Sequence, residues 1–188
     1  MIIGNPYEFA VLIDYVDDWN SETSFWKEGI FDFIFHGRYL SEKIISYTMN
    51  EFLIDNQPIF LLEKIIENKS LFFEQKDIAF KFMLDAYNPY ILNKDLDKND
   101  EGNRQYCDGY VLNKHYMSGI WVTAVSYQDN IRIMGAITDD LMHFDDGRAS
   151  QWIGRKEILI HEAMITRHEY QLINDNIGIF LKEVLNSQ

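Results

Sequence analysis

Side chains alternate between two faces from Phe9 to Tyr15, with the bulky Phe9, Val11, Ile13 and Tyr15 on one and Glu8, Ala10, Leu12 and Asp14 on the other. A period of two marks a half-buried strand, because successive side chains of an extended backbone point to opposite sides. Residues 30–35 repeat the pattern more strongly, placing Phe31, Phe33 and Phe35 together. His36-Gly37 then supplies a turn, and Arg38-Tyr39-Leu40 returns as the second arm of a hairpin. The β-branched and aromatic run 44–49 predicts another strand. Two longer strands follow at residues 120–127 and 131–138, separated by Gln128-Asp129-Asn130.

Helical spacing appears elsewhere. Asp55-Asn56-Gln57-Pro58 has the chemistry of a helix start, since Pro is tolerated in the first turn and Asn or Asp caps it. Ile59, Leu62, Ile65 and Ile66 then recur at helical intervals. Residues 78–84 fit both alternation and helical spacing and are assigned a helix. Residues 93–109, polar and acidic with Gly102 and Gly109, predict a long surface loop, and residues 139–154 a second acidic loop. Residues 156–161 predict a closing strand. Thr166 and Glu169 form a capping box, each able to satisfy a free backbone N–H. Tyr170, Ile173, Ile177, Phe180, Leu181 and Val184 continue it as a C-terminal helix, which Gly178 weakens by about 1 kcal/mol relative to Ala. Strands outnumber helices, so the expected fold is α+β, mainly an antiparallel sheet, in a single domain over residues 1–188.

Composition sharpens this picture. Hydrophobic residues make up 47% of the 188, so the chain can build a core without crosslinks. Cys107 is the lone cysteine, which excludes an intrachain disulfide and suits a reducing compartment. The N-terminus carries no signal peptide pattern, and no apolar run approaches the length of a membrane span. A cytoplasmic protein is expected. Thirty acidic residues against 17 basic ones give a formal net charge of −13, which favours a basic partner and disfavours nucleic acid and anionic membranes.

Candidate chemistry is sparse. Asp95-Leu96-Asp97-Lys98-Asn99 opens like a calcium loop, but position six is Asp100 rather than Gly, and position twelve is Tyr106 rather than Glu. His143 sits among Asp139, Asp140, Asp145 and Asp146, a donor set of the kind that holds divalent metals, although Asp145-Asp146-Gly147 is also ordinary turn chemistry. His161-Glu162 and His168-Glu169 are seven residues apart, not the four of a zinc-protease helix, and the capping box sets a boundary between them. Cys107 and His115 lack a nucleophile signature. Phosphate-binding loops and dinucleotide fingerprints are absent. No catalytic residue, metal or cofactor is assigned. Trp19 and Trp152 stand outside regular patterns and beside acidic residues, a composition suited to anchoring a basic protein surface.

The segment Met1-Ile2-Ile3-Gly4-Asn5-Pro6-Tyr7-Glu8-Phe9-Ala10, the stretch 14–19, and the hairpin from Gly29 to Tyr39 resemble the opening of the immunity protein 42 family. The resemblance covers about the first third of the chain. It implies a small bacterial protein encoded beside a polymorphic or contact-dependent growth-inhibition toxin, whose C-terminal domain it binds and neutralises inside the producing cell. It brings no catalytic or metal-binding residues. Joined with the charge, it makes the partner a basic, nuclease-type toxin domain. The expected contact surface is Trp19, Asp95, Asp97, Asp100, Glu101, Asp139, Asp140, Asp145, Asp146 and Trp152. The competing readings are a metal-dependent hydrolase centred on His143 and an acidic adaptor or scaffold.

Overall fold

The computed structural model describes residues 1–21, 26–41, 46–49, 53–54, 57–58, 65–87, 119–142 and 151–186. Among them the chain runs β1 (Ile2–Asn5), β2 (Phe9–Tyr15), β3 (Glu28–Phe35), β4 (Arg38–Tyr39), β5 (Ser46–Thr48), β6 (Leu53–Ile54) and β7 (Gln57–Pro58). It continues through α1 (Lys69–Phe73), α2 (Lys76–Tyr87), β8 (Ile120–Tyr127), β9 (Asn130–Ile137), β10 (Asp139–Met142), β11 (Gln151–Gly154), β12 (His161–Thr166) and α3 (Arg167–Asn186). The fold is α+β with antiparallel sheets and a C-terminal helix. Its contacts cluster into two compact units, one of Met1–Leu62 with Ala163–Gln188 and one of Glu63–Glu162.

The first unit is built on a sheet of order β1-β2-β3-β4, with β5 also paired to β3. The register sets Phe9 opposite Phe35, Val11 opposite Phe33 and Ile13 opposite Phe31. The alternation seen in sequence thus places four phenylalanines on one face. Phe9 meets Phe35 edge-on at 5.2 Å, and Phe31 meets Phe33 at 5.1 Å and Tyr47 at 5.6 Å. Such edge-to-face pairs add about 0.5–1.5 kcal/mol each beyond their area. The β3–β4 turn works because His36 and Gly37 both take positive φ, 49° and 77°, the handedness that matches strand twist. At Gly29, opposite Tyr15, an added Cβ would collide with Asp14 O and Met49 Cε, so the close strand approach requires glycine there.

The helix α3 packs against β1, β2 and β7 through Tyr170, Ile173, Ile177 and Leu181, all buried. Its start is the predicted capping box. Thr166 N donates to Glu169 Oε2 at 2.7 Å, and Glu169 N donates to Thr166 Oγ1 at 3.2 Å. The bonds that Thr166 N and Thr166 Oγ1 donate to the carboxylate hold Glu169 below its ordinary pKa. His161 lies on β12 and His168 in the first turn of α3, so the capping box separates them as expected.

In the second unit the hairpin β8–β9 pairs from Ile120↔Ile137 to Tyr127↔Asn130. Trp121, Val125, Met134 and Ala136 share a face and pack with Phe80, Met83, Leu84 and Tyr87 of α2 and with Leu71 and Phe72 of α1. Arg132 belongs to that same face. Its Nη1 donates to the carbonyls of Leu71, Phe72 and Glu74 at 3.2, 3.0 and 2.6 Å, satisfying the acceptors left open where α1 ends. Its Nε and Nη2 hold Glu162 Oε2 at 3.0 and 2.7 Å.

Three expectations change. Gln57 and Pro58 do not open a helix; they pair with Ile54 and Leu53 as a short antiparallel ladder. Asn and Asp suit tight turns as well as caps, and Pro is tolerated at a sheet edge. Residues 59–64 lie outside the described residues, while Ile65 and Ile66 are not helical. Ile66 O accepts from Ser126 N, and Asn68 N donates to Ser126 O, so this stretch runs beside β8. Residues 139–154 are not simply a loop, because β10 and β11 pair with each other. The closing strand starts at His161 rather than ending there. Residues 156–160 are irregular, and they send Ile160 into the α2 core, where Lys76 Nζ donates to its carbonyl at 3.0 Å.

Candidate functional site

Trp19 closes a short 3-10 turn, Asp17–Trp19, directly after β2. Asp17, Asp18 and Trp19 are all exposed, Trp19 at 46%. The turn is not loose. Trp19 N donates to Val16 O and Asn20 N to Asp17 O, each at 3.0 Å. The Asn20 side chain donates to Val16 O at 2.6 Å and Glu28 O at 2.8 Å, and accepts from Glu28 N at 2.7 Å. One amide therefore closes the neck of the connection between β2 and β3. Trp26, exposed at 55%, lies two residues before Glu28 on the far side of that neck. The exposed Trp19 indole beside Asp17 and Asp18, on a turn held by these bonds, costs little ordering entropy on binding. Sequence reading missed Asn20 and Trp26. The signal for Asn20 was only its place after an Asp-Asp-Trp turn.

Asp139 begins β10, and its Oδ2 accepts from Thr138 Oγ1 at 2.7 Å. Thr138 Oγ1 also reaches Gly119 O at 3.2 Å, so this carboxylate takes part in holding the β9–β10 junction. The β10–β11 ladder pairs Leu141 with Trp152 and Asp140 with Ile153, bringing these two predicted positions into adjacent rungs. Trp152 is thus a strand residue and not a loop residue. Asp95, Asp97, Asp100, Glu101, Asp145 and Asp146 lie outside the described residues, as do His143, Cys107 and His115. Among the described residues no group of three or more His, Cys, Asp or Glu is arranged to hold a metal ion.

Asp32 is the buried acid of the first unit. It accepts from Phe33 N at 2.8 Å, from Ser41 N at 3.1 Å and from Ser41 Oγ. Burial raises its pKa above the ordinary carboxylate value even against those bonds. Its donors are all neutral, Phe33 N of its own strand and Ser41 N and Oγ beyond β4, which makes it a tie between β3 and Ser41.

The family model for immunity protein 42 matches residues 1–178. The chain belongs to the immunity protein 42 family. The match extends the N-terminal resemblance across nearly the whole sequence, including α2, the β8–β9 hairpin and most of α3. The immunity protein is also similar in structure to CdiI from Burkholderia dolosa AUO158. That likeness has a TM-score of 0.61 and 15% identity, and it covers 96% of this chain and 99% of the other. At that identity it carries the fold. No curated protein sequence matches. As a member of its family, the immunity protein neutralises a toxin. No helix among the described residues is long and apolar enough to cross a membrane.

Proposed function

We propose that the immunity protein works in the cytoplasm by direct, non-catalytic binding to a basic, nuclease-type toxin domain encoded beside it. The observation that carries this reading is the formal net charge of −13 on a chain whose described surface presents a rigid acidic turn tipped by Trp19. Complementary charge accelerates encounter and rejects wrong partners, while a buried aromatic anchor supplies most of the binding energy. Trp19 with Asp17 and Asp18 forms one contact region, and the β10–β11 strands with Asp139, Asp140 and Trp152 form another. Asp95, Asp97, Asp100, Glu101, Asp145 and Asp146 add acidic contacts in this reading. A bound toxin domain needs no cofactor and no turnover.

The test is titration of the purified toxin domain with the immunity protein while toxin activity is followed. Inhibition that ends at one equivalent and persists through repeated substrate additions supports stoichiometric binding. Loss of toxin activity at a small fraction of an equivalent would mean turnover and reject the reading.

A further inference from the structure

The first unit contains an open groove of about 320 Å³ between β1, the turn into β2 and the first half of α3. Its floor is apolar, with Ile3 and Ile173 buried, and Leu172 stands at its lip. Its charged groups are the carboxylates of Glu8 and Glu169; no Lys, Arg or His is among the described residues that line it. Each carboxylate uses one oxygen within the chain. Glu8 Oε2 accepts from Asn5 Nδ2 at 3.1 Å, and Glu169 Oε2 serves the capping box. Oε1 of each has no such bond among the described residues. The capping bonds also keep Glu169 ionised at neutral pH. An apolar floor with two carboxylates above it matches an amphipathic cation, whose methylene stem lies on hydrocarbon while its head stays charged.

We propose that this groove receives a lysine or arginine side chain of the toxin domain, its stem along Ile3 and Ile173 and its head at Glu8 and Glu169. The inference rests on the direct-binding reading and adds a specific place where the partner's positive charge is held. It involves none of the Trp or Asp positions singled out from the sequence. The groove is also separate from the neck closed by Asn20, which lies at the other end of β2.

The experiment is calorimetric titration of the adjoining gene's toxin domain into wild type, Glu8→Lys, Asn176→Lys and Glu183→Lys. Asn176 lines the groove, and Glu183 is an exposed acid near the far end of α3. Both groove variants are expected to bind roughly tenfold or more weakly, because like charge repels at a site built for a cation. Glu183→Lys, which shifts the net charge as much as Glu8→Lys, is expected to change affinity less than about twofold, as screening limits distant charges. Thermal unfolding of each variant checks the fold. If Glu8→Lys lowers the unfolding midpoint, Glu8→Gln replaces it with the same expected direction. Groove variants that bind like wild type, or a Glu183→Lys loss as large as theirs, overturn the groove while leaving direct binding in place. A wild-type protein that does not bind the toxin domain overturns both.

Discussion

Arg132 in the second unit and the Asp17–Trp19 turn in the first both concentrate polar groups, but they treat them in opposite ways. Arg132 is 5% exposed, and its guanidinium is engaged by three backbone carbonyls and a carboxylate. In the turn the hydrogen bonds tie the backbone and the neck, where Asn20 joins Val16 to Glu28, while Asp17, Asp18 and Trp19 are exposed. A buried charge is tolerated only when its partners are complete, so the Arg132 cluster serves the fold. An exposed acid–indole surface on a fixed backbone does little for stability and is available to a partner. The two regions should therefore separate in mutagenesis, one moving stability and the other moving binding.

The largest expected effect breaks the Arg132 side. Arg132→Met keeps the apolar stem but removes the donor to the carbonyls of Leu71, Phe72 and Glu74 and the ion pair with Glu162, and should lower unfolding free energy by about 3 kcal/mol or more. Chemical denaturation measures this, and a loss below about 1 kcal/mol would make the cluster incidental. Next comes Trp19→Ala, expected to weaken toxin binding by about 2 kcal/mol without shifting the unfolding midpoint. A shifted midpoint with intact affinity would reverse the assignment of that turn. Asn20→Ala should fall between the two regions. Losing three hydrogen bonds at the neck is expected to cost about 1–2 kcal/mol of stability and to loosen the Trp19 surface, visible as weaker binding too.

The smallest effect concerns Asp32, which is buried like Arg132 but whose partners among the described residues are all uncharged. Its raised folded pKa means that its favourable contribution is intact below the unfolded value and is lost as pH rises through the folded value. Asp32→Asn removes that loss. The stability of the variant relative to wild type should therefore improve as pH rises from the ordinary carboxylate range towards neutrality. A difference that stays flat or worsens across this range would show that the bonds from Ser41 and Phe33 outweigh the burial cost.

Where one face of a strand is buried, the sequence announced it. The β2–β3 pair follows from alternation, the β8–β9 hairpin from two apolar runs on either side of Gln128-Asp129-Asn130, and α3 from helical spacing after a capping box. The failures share a cause. Asp55-Asn56-Gln57-Pro58 carries chemistry common to helix caps and tight turns, and local sequence does not decide between them. Residues 65–66 keep a helical interval by accident, their conformation being set by Ser126, about sixty residues away. Trp152 pairs with Leu141 and Asp140 with Ile153 across an acidic stretch with no periodicity. Arg132 is hidden in an apolar strand, and its role depends on carbonyls at the end of α1. The candidate surface was legible as a composition, acids beside Trp19, but not as a shape, because the Asn20 clasp joins residues from two strands.

The central claim is that negative surface charge brings a basic toxin domain into direct contact with this immunity protein. Affinity for the purified toxin domain, measured across a series of salt concentrations, tests it most directly. Tight one-to-one binding is expected, with a dissociation constant that rises steadily with salt mainly through a falling association rate. The absence of binding at low salt, or an affinity indifferent to salt, would contradict it.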